Sequence, residues 1–143
     1  MNISVKTFDQ LNTRELYEIL KVRTAVFVVE QNCPYQDIDD VDPDALHIFM
    51  RDETGVKAYL RVFSKDERTA HIGRVLTTER GCGYGGEILK AGIHAAREQL
   101  HKSAVYLEAQ TYATGFYERE GFRTISDEFL EDGIPHIQML LEF

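Results

Sequence analysis

The chain contains no tryptophan, only two cysteines and only three prolines among 143 residues. Cys33 and Cys82 are too few to form a disulfide framework, so we expect free thiols and a cytoplasmic protein. No run of 18 or more apolar residues is present, which excludes the pattern of a transmembrane helix. The first residues also lack the basic segment followed by an apolar one that marks a secretory signal.

Positive charge is also scarce, with 16 Lys and Arg residues against 24 Asp and Glu residues and a net charge of −8. Binding to nucleic acid requires clustered basic residues that neutralise phosphates, so we do not expect a nucleic acid as a main partner. A surplus of acidic residues is compatible with a cationic partner, such as a small-molecule or peptide amine.

Five of the 24 acidic residues lie in segment 37–44, which reads DIDDVDPD. This segment fails as a calcium-binding loop because its fifth position is Val41, its sixth is Asp42 rather than glycine and its twelfth is Ile48 rather than glutamate. We therefore predict no bound metal. The segment is either a solvated loop or a rim that attracts a cationic substrate.

The apolar residues follow alternating strand and helix periods without repeats or linkers, and the length suits one domain over residues 1–143. Three consecutive strands joined by polar turns favour an antiparallel meander, and a later strand–helix–strand unit favours a parallel pair. The predicted order is β-α-β-β-β-α-β-α-β-β, with a loop over residues 127–135. The predicted strands are 3–8, 46–50, 56–63, 71–76, 104–109, 123–126 and 136–143, and the predicted helices are 13–29, 87–100 and 111–120.

Four glycines fall within the six residues from Gly81 to Gly86, between a predicted strand and a predicted helix. Glycines let backbone N–H groups approach a ligand, and the first N–H groups of a helix have no intrahelical partner. The loop therefore suits a phosphate or pyrophosphate, and Arg80 adds a positive charge beside it. A P-loop is excluded because Glu87, rather than lysine, follows Gly86.

The loop also fits the dinucleotide-binding pattern G-x-G-x-x-G through Gly81, Gly83 and Gly86, with Glu108 near the expected acidic position. Three observations count against this alternative. Residues 77–80 separate the strand from the first glycine, the motif lies in mid-chain, and too little chain follows to complete a doubly wound sheet. The sequence leaves the alternative open.

A second pattern in the loop, Arg80-x-x-Gly83-x-Gly85, resembles the pyrophosphate loop of the GNAT acetyltransferases. The segment from Phe116 to Phe122 resembles the Phe-Tyr-x-x-x-Gly-Phe helix ending of the same superfamily. Residues 26–37 and 131–137 look like the ElaA-like subfamily, so that the resemblance covers essentially the whole chain.

The resemblance implies an α/β fold with a mixed, mostly antiparallel sheet, helices on both faces and a central parallel strand pair. It also implies direct transfer of an acetyl group from acetyl-CoA to a primary amine within a ternary complex. The backbone of Val75, Leu76 and Thr77 would bind the pantetheine arm. Gln110 would contact the cofactor from a position where family members often have asparagine. The pyrophosphate would be held by Arg80, Gly81, Cys82, Gly83, Tyr84, Gly85 and Gly86.

Direct transfer needs a base that accepts the amine proton and an acid that protonates the departing thiolate. Tyr117 matches the family position that contacts the cofactor and supplies this acid. For the base we predict Glu30, a carboxylate that follows an apolar run and is expected in an apolar setting, or His136, with water as a potential relay. His47 and His71 are weaker candidates.

Two other functions stay open at this point. A non-catalytic acyl-CoA-binding module would use the same glycine loop without an acceptor, and a dinucleotide-binding oxidoreductase would depend on Glu108. The exposed edges of a small mixed sheet are compatible with a homodimer.

Overall fold

A computed structural model describes every residue from Met1 to Phe143. Its strands all belong to one sheet, and three α-helices pack against it. The helices are α1 (Thr13–Arg23), α2 (Tyr84–Glu98) and α3 (Thr114–Glu118). The strands are β1 (Ile3–Thr7), β2 (Leu46–Asp52), β3 (Gly55–Ser64), β4 (Thr69–Thr77), β5 (Ala104–Gln110), β6 (Arg123–Thr124), β7 (Phe129–Glu131) and β8 (Ile134–Glu142).

The strands lie in the order β1-β2-β3-β4-β5-β8-β6, and β7 pairs with β8 as well. Every neighbouring pair is antiparallel except β4 and β5, which are parallel and are joined by α2. The predicted fold class is therefore confirmed: a mixed, mostly antiparallel sheet with a central parallel pair.

Helices cover both faces of the sheet, as predicted. Alternation along β2 decides which core each residue enters, so that Ile48 joins the α2 side and Phe49 joins the α1 side. On the α1 side, Ile19 and Val22 pack with Tyr59 of β3. The larger core on the other face includes Leu60, Val62, Ile72, Ile88, Leu89, Ala96, Val105, Leu107 and Met139.

Helix α2 lies unusually close to the sheet at Gly92. A Cβ atom at this position would stand 2.9 Å from Leu60 Cδ2 and 3.2 Å from Ile72 Cδ1. The absence of a side chain at Gly92 therefore allows α2, which follows the glycine loop, to pack this close to the sheet. None of the helices is both long and apolar enough to cross a membrane.

Helix α1 begins as the sequence predicts. Asn12 Oδ1 accepts the Glu15 N–H at 2.8 Å, and Glu15 Oε1 accepts the Asn12 N–H at 2.9 Å, which forms a reciprocal capping box. Beyond Arg23 the helix widens into a π-helix over Thr24–Glu30. The predicted helix over residues 13–29 thus exists, but in two parts of different geometry.

The prediction of a loop over residues 127–135 is wrong in part. Strand β7 pairs with the start of β8, and Asp132 and Gly133 form the turn of this hairpin with φ angles of 51° and 76°. The adjoining strand β6 is only two residues long, shorter than the predicted strand over 123–126. Strands of two or three residues are too short for an alternating pattern to reveal them.

Candidate active site

The parallel pairing between β4 and β5 is short. Only Thr69, Ala70 and His71 pair with β5, whereas β4 continues to pair with β3 as far as Thr77. A cavity of about 900 Å³ is lined by residues of both strands beyond this point. Backbone groups of β4 that point towards β5 past His71 therefore face the cavity instead of another strand.

A bulge shapes β4 at the cavity, because Arg74 and Val75 together lie opposite the single residue Leu60 of β3. Arg74 has a φ angle of 54°, in a region that non-glycine residues rarely adopt. Its guanidinium is held by Asp37 Oδ1, 2.8 Å from Nε, and by Asp39 Oδ2, 3.2 Å from Nη2. These ion pairs fix the residue that precedes the predicted cofactor-binding backbone.

Five of the residues predicted to contact the cofactor come together around the cavity. Val75, Leu76 and Thr77 line it from β4, and Gln110 and Tyr117 line it from the β5 side. Their common placement agrees with the roles expected from the sequence, and those roles themselves stay predictions.

The glycine loop lies beside the cavity instead of lining it. Arg80 belongs to the cavity wall, whereas residues 81–86 do not. Gly81 and Gly83 have φ angles of 78° and 77°, which only glycine adopts without strain. The N–H groups of residues 80–83 make no backbone hydrogen bond, and Gly83 is the cap of α2. A row of free donors leading into a helix N-terminus is an arrangement that binds anions.

Tyr117 lies on α3 with only 9% of its surface exposed. Its ring packs edge-on against Phe116 and Phe122, with centroid distances of 5.0 and 6.0 Å. Burial, with a further contribution from Tyr112, raises the pKa of its hydroxyl well above the ordinary value of 10. The hydroxyl therefore keeps its proton at neutral pH at the wall of the cavity.

Glu30, one of the two predicted bases, lines the cavity but is not in an apolar setting. Its side chain is 62% exposed, and Arg80 Nη2 lies 4.0 Å from its Oε1. The expectation of an apolar setting is wrong because Val26 and Phe27 pack against the α1-side core, whereas Glu30 ends the π-helix at the surface.

His136, the other predicted base, is 9% exposed and also lines the cavity. Its Nδ1 is 2.7 Å from the Ile134 carbonyl and donates a hydrogen bond to it. In the neutral ring the lone pair is therefore on Nε2, which lies 3.6 Å from Glu131 Oε2. His136 thus presents a proton acceptor from a buried, fixed position.

The two expectations for segment 37–44 are wrong for three of its five aspartates. Asp37 and Asp42 are buried, and Asp39 is half-buried. All three pair with arginines, so they form neither a solvated loop nor an uncompensated acidic rim, whereas Asp40 and Asp44 are exposed. No group of three or more His, Cys, Asp or Glu side chains is arranged to hold a metal ion. The ion pairs join Arg23 to Asp37 and Asp42, Arg61 to Asp39 and Asp42, and Arg74 to Asp37 and Asp39, at 2.6–3.2 Å.

Comparison with known proteins identifies the family. Residues 10–143 match the model of the acetyltransferase (GNAT) domain. The chain is 39% identical to protein ElaA of Escherichia coli K12, over 94% of the chain and 92% of ElaA. It is also 39% identical to a UPF0039 protein of Schizosaccharomyces pombe, over 96% of the chain and 94% of that protein. The chain belongs to the GNAT acetyltransferase family.

Solved structures agree with this assignment to the GNAT family. The crystal structure of an acyl-CoA N-acyltransferase from Pseudomonas aeruginosa matches the fold with a TM-score of 0.92 and 36% identity, covering 99% of both chains. The crystal structure of E. coli ElaA matches with the same score, identity and coverage. The predicted resemblance to ElaA-like GNAT proteins is confirmed.

Sequence reasoning missed two carboxylates of this GNAT cavity, Glu108 and Glu131. Alternation along β5 could have placed Glu108 on the same face as Gln110, but Glu108 was considered only as part of a dinucleotide site. Its Oε2 accepts the Tyr106 hydroxyl at 2.9 Å. Glu131 belongs to β7, whose existence the sequence did not indicate, so no signal could have found it.

His71, a weaker candidate for the base in the sequence analysis, also lines the cavity. It is the last residue of β4 that pairs with β5, and its ring lies 4.8 Å from Phe63 and 5.1 Å from Tyr106, measured between centroids. Burial lowers the pKa of His71 to about 4, although the charge of Glu108 acts in the opposite direction. His71 is therefore neutral at physiological pH.

Proposed function

We propose that the protein transfers an acetyl group from acetyl-CoA to a primary amine, directly and within a ternary complex. The observation that carries this proposal is the cavity between β4 and β5, which has the free N–H groups of the glycine loop beside it and the protonated Tyr117 in its wall. Membership of the GNAT family supports an acyl-CoA-dependent transferase.

The residues present fit an acyl-CoA. Arg80 and the N–H groups from Gly81 to Gly86 would hold the pyrophosphate, because they combine a positive charge with a row of unused donors. The open backbone of β4 from Val75 to Thr77 would pair with the amide groups of the pantetheine arm. Gln110 now donates to Gln31 at 3.3 Å, a long hydrogen bond that an incoming cofactor can replace.

When bound, acetyl-CoA supplies an acyl carbon that the amine nitrogen attacks while the carbon–sulfur bond breaks. Tyr117 gives its proton to the departing sulfur, since burial keeps its hydroxyl protonated. His136 accepts the proton of the amine on Nε2, directly or through water. His136 suits this role better than Glu30, because Glu30 is largely exposed and lies beside Arg80.

The fold argues against the dinucleotide alternative. A dinucleotide site of that kind forms at the switch point of a doubly wound parallel sheet, whereas only β4 and β5 are parallel here. Glu108, the acidic residue that this alternative needs, instead accepts a hydrogen bond from Tyr106 inside the cavity.

The release of coenzyme A thiol from acetyl-CoA tests the proposal, measured with and without a panel of primary amines. We expect release that depends on the amine. Tyr117→Phe should lower kcat by about 10²-fold or more, because it removes the acid, and should change the Kd for acetyl-CoA by less than about threefold.

Tyr17→Phe is the matched control, since Tyr17 is 69% exposed on α1 and lies outside the cavity. It should leave both constants unchanged. Binding of acetyl-CoA without release of thiol to any amine would instead identify a non-catalytic acyl-CoA-binding module. A large loss of acetyl-CoA affinity in Tyr117→Phe at unchanged kcat would contradict its role as the acid.

A further inference from the structure

The positive and negative charges of the side chains around the cavity do not balance. Arg61 and Arg74 are neutralised by the aspartates of segment 37–44, and Arg80 lies beside Glu30. The remaining carboxylates of the cavity wall have no lysine or arginine partner, so this part of the cavity has a negative surplus. They are Glu108, Glu131 and Asp132.

Two hydrogen-bond acceptors face each other within this part of the cavity. His136 Nε2 carries the lone pair in the neutral ring and makes no hydrogen bond, and Glu131 Oε2 lies 3.6 Å away. Neither atom can donate to the other in these protonation states. A cationic group with several N–H donors would satisfy both atoms, and His136 is more than nine-tenths buried at this point.

The carboxylates also repel each other. Burial raises the pKa of Glu131, and the nearby charges of Glu108 and Asp132 raise it further, whereas His136 and Arg74 act in the opposite direction without reversing the shift. Lys65 lies over the ring of Tyr106, 4.6 Å from its centroid, but forms no ion pair with either glutamate. A positive charge delivered by a ligand would therefore be stabilised here more than at a neutral surface.

An apolar wall adjoins the carboxylates. Phe63 and the neutral ring of His71 pack against each other at a tilt of 30° with a centroid distance of 4.8 Å, and both line the cavity. Tyr106 stands edge-on to His71 and holds Glu108 through its hydroxyl. An aromatic or aliphatic body could pack on this wall while its amino group reaches the carboxylates.

We infer that the acceptor is a primary amine with an apolar or aromatic body and without a carboxylate beside its amino group, which binds among Glu108, Glu131 and His136. This inference rests on the proposed transferase function and specifies its substrate class. A free amino acid would bring its own carboxylate into the uncompensated negative part of the cavity, and that repulsion selects against it.

Three compounds of similar size test the inference: phenethylamine, phenylalaninamide and phenylalanine. The amide and the acid have nearly the same shape and differ mainly in the charge beside the amine, so their comparison at equal concentrations of neutral amine separates charge from bulk. Two readouts are needed, namely kcat/KM for thiol release from acetyl-CoA and the Kd for the protein saturated with coenzyme A. We expect phenethylamine and phenylalaninamide to exceed phenylalanine at least tenfold in both.

Variants of Glu108 and Glu131 test whether these carboxylates cause the preference for the amide over the acid. Glu108→Gln and Glu131→Gln remove charge at nearly constant shape, and each should narrow the ratio between phenylalaninamide and phenylalanine severalfold. Glu128→Gln is the control, because Glu128 is exposed and lies outside the cavity wall. It should keep the ratio of the unaltered protein.

The outcomes distinguish a failure of the inferred acceptor class from a failure of the proposed transfer reaction. If phenylalanine binds and reacts as well as its amide, or if none of the three compounds binds, the inference about the acceptor is overturned. If the compounds bind in the expected order but no thiol is released, the acceptor pocket stands and the proposed transfer reaction is wrong. An unchanged ratio in both glutamine variants would overturn the assignment to Glu108 and Glu131.

Discussion

Arg23 is fully buried between two carboxylates, with its Nε 3.0 Å from Asp37 Oδ2 and its Nη1 2.7 Å from Asp42 Oδ1. Its Nη2 donates to the Asp37 carbonyl at 2.9 Å. One side chain at the end of α1 thereby holds Asp37 and Asp42 together within segment 37–44, which forms part of the cavity wall. Although burial acts to lower the pKa of Arg23, its hydrogen bond to Asp42 and the surrounding negative charges raise it, so the guanidinium stays charged.

Arg23→Met should destabilise the protein by roughly 3–5 kcal/mol, because it leaves the buried carboxylates of Asp37 and Asp42 short of a partner. Urea unfolding followed by circular dichroism measures this loss. Arg68→Met is the matched control, since Arg68 pairs with Glu142 at the exposed surface and should cost no more than about 1 kcal/mol. Equal stability of both variants would mean that the buried network does not hold the segment.

The stability of the protein should decline as the pH falls below 6.5, in part because of His71. Burial lowers its folded pKa to about 4 from an ordinary value of 6.5, so the unfolded chain binds the proton first as the pH falls. The contribution of His71 is therefore complete above pH 6.5 and is lost between about pH 6.5 and 4. Its size is on the order of 3 kcal/mol, from a difference of about 2.5 pKa units at about 1.4 kcal/mol per unit.

His71→Gln removes this titration and should flatten the decline in unfolding free energy over that pH range. His94→Gln, on the exposed face of α2, should retain the decline of the unaltered protein. Urea unfolding at pH 7, 5.5 and 4.5 gives the comparison. A decline of the same steepness in His71→Gln would show that His71 is not buried in a neutral form.

Gly83→Ala should weaken the binding of acetyl-CoA about tenfold or more. The φ angle of 77° is strained by roughly 1–2 kcal/mol for any residue with a Cβ, and relief of that strain would turn the N–H groups of the loop away from the ligand. Gly115→Ala is the control, because its φ angle is ordinary and no atom lies within 4 Å of the added Cβ. Similar affinities of the two variants would argue against the loop as the binding site.

The fold, and the position of the glycine loop at the start of α2, could be predicted because their signals are local. Two short motifs were enough to indicate the family: the glycines from Gly81 to Gly86, and the pair Phe116 and Tyr117 before Gly121. The order strand–helix–strand likewise indicated the parallel pair. These features depend on backbone geometry that neighbouring residues determine.

The surroundings of segment 37–44 and of Glu131 could not be predicted because they depend on contacts between distant segments. The aspartates of segment 37–44 meet arginines from α1, β3 and β4, so their neutralisation is invisible in a local pattern. Glu131 reaches the cavity only through the short strand β7. Glu30 was misjudged for a related reason, since sequence spacing does not show that the π-helix ends at the surface.

Calorimetric titration with acetyl-CoA, with NAD titrated in parallel, tests whether the glycine loop binds an acyl-CoA. We expect micromolar binding of acetyl-CoA that Arg80→Ala weakens, and no binding of NAD. Arg97→Ala is the control, because Arg97 lies on an exposed face near the end of α2 and should leave the affinity unchanged. Absence of acetyl-CoA binding, or binding of NAD in its place, would contradict the account.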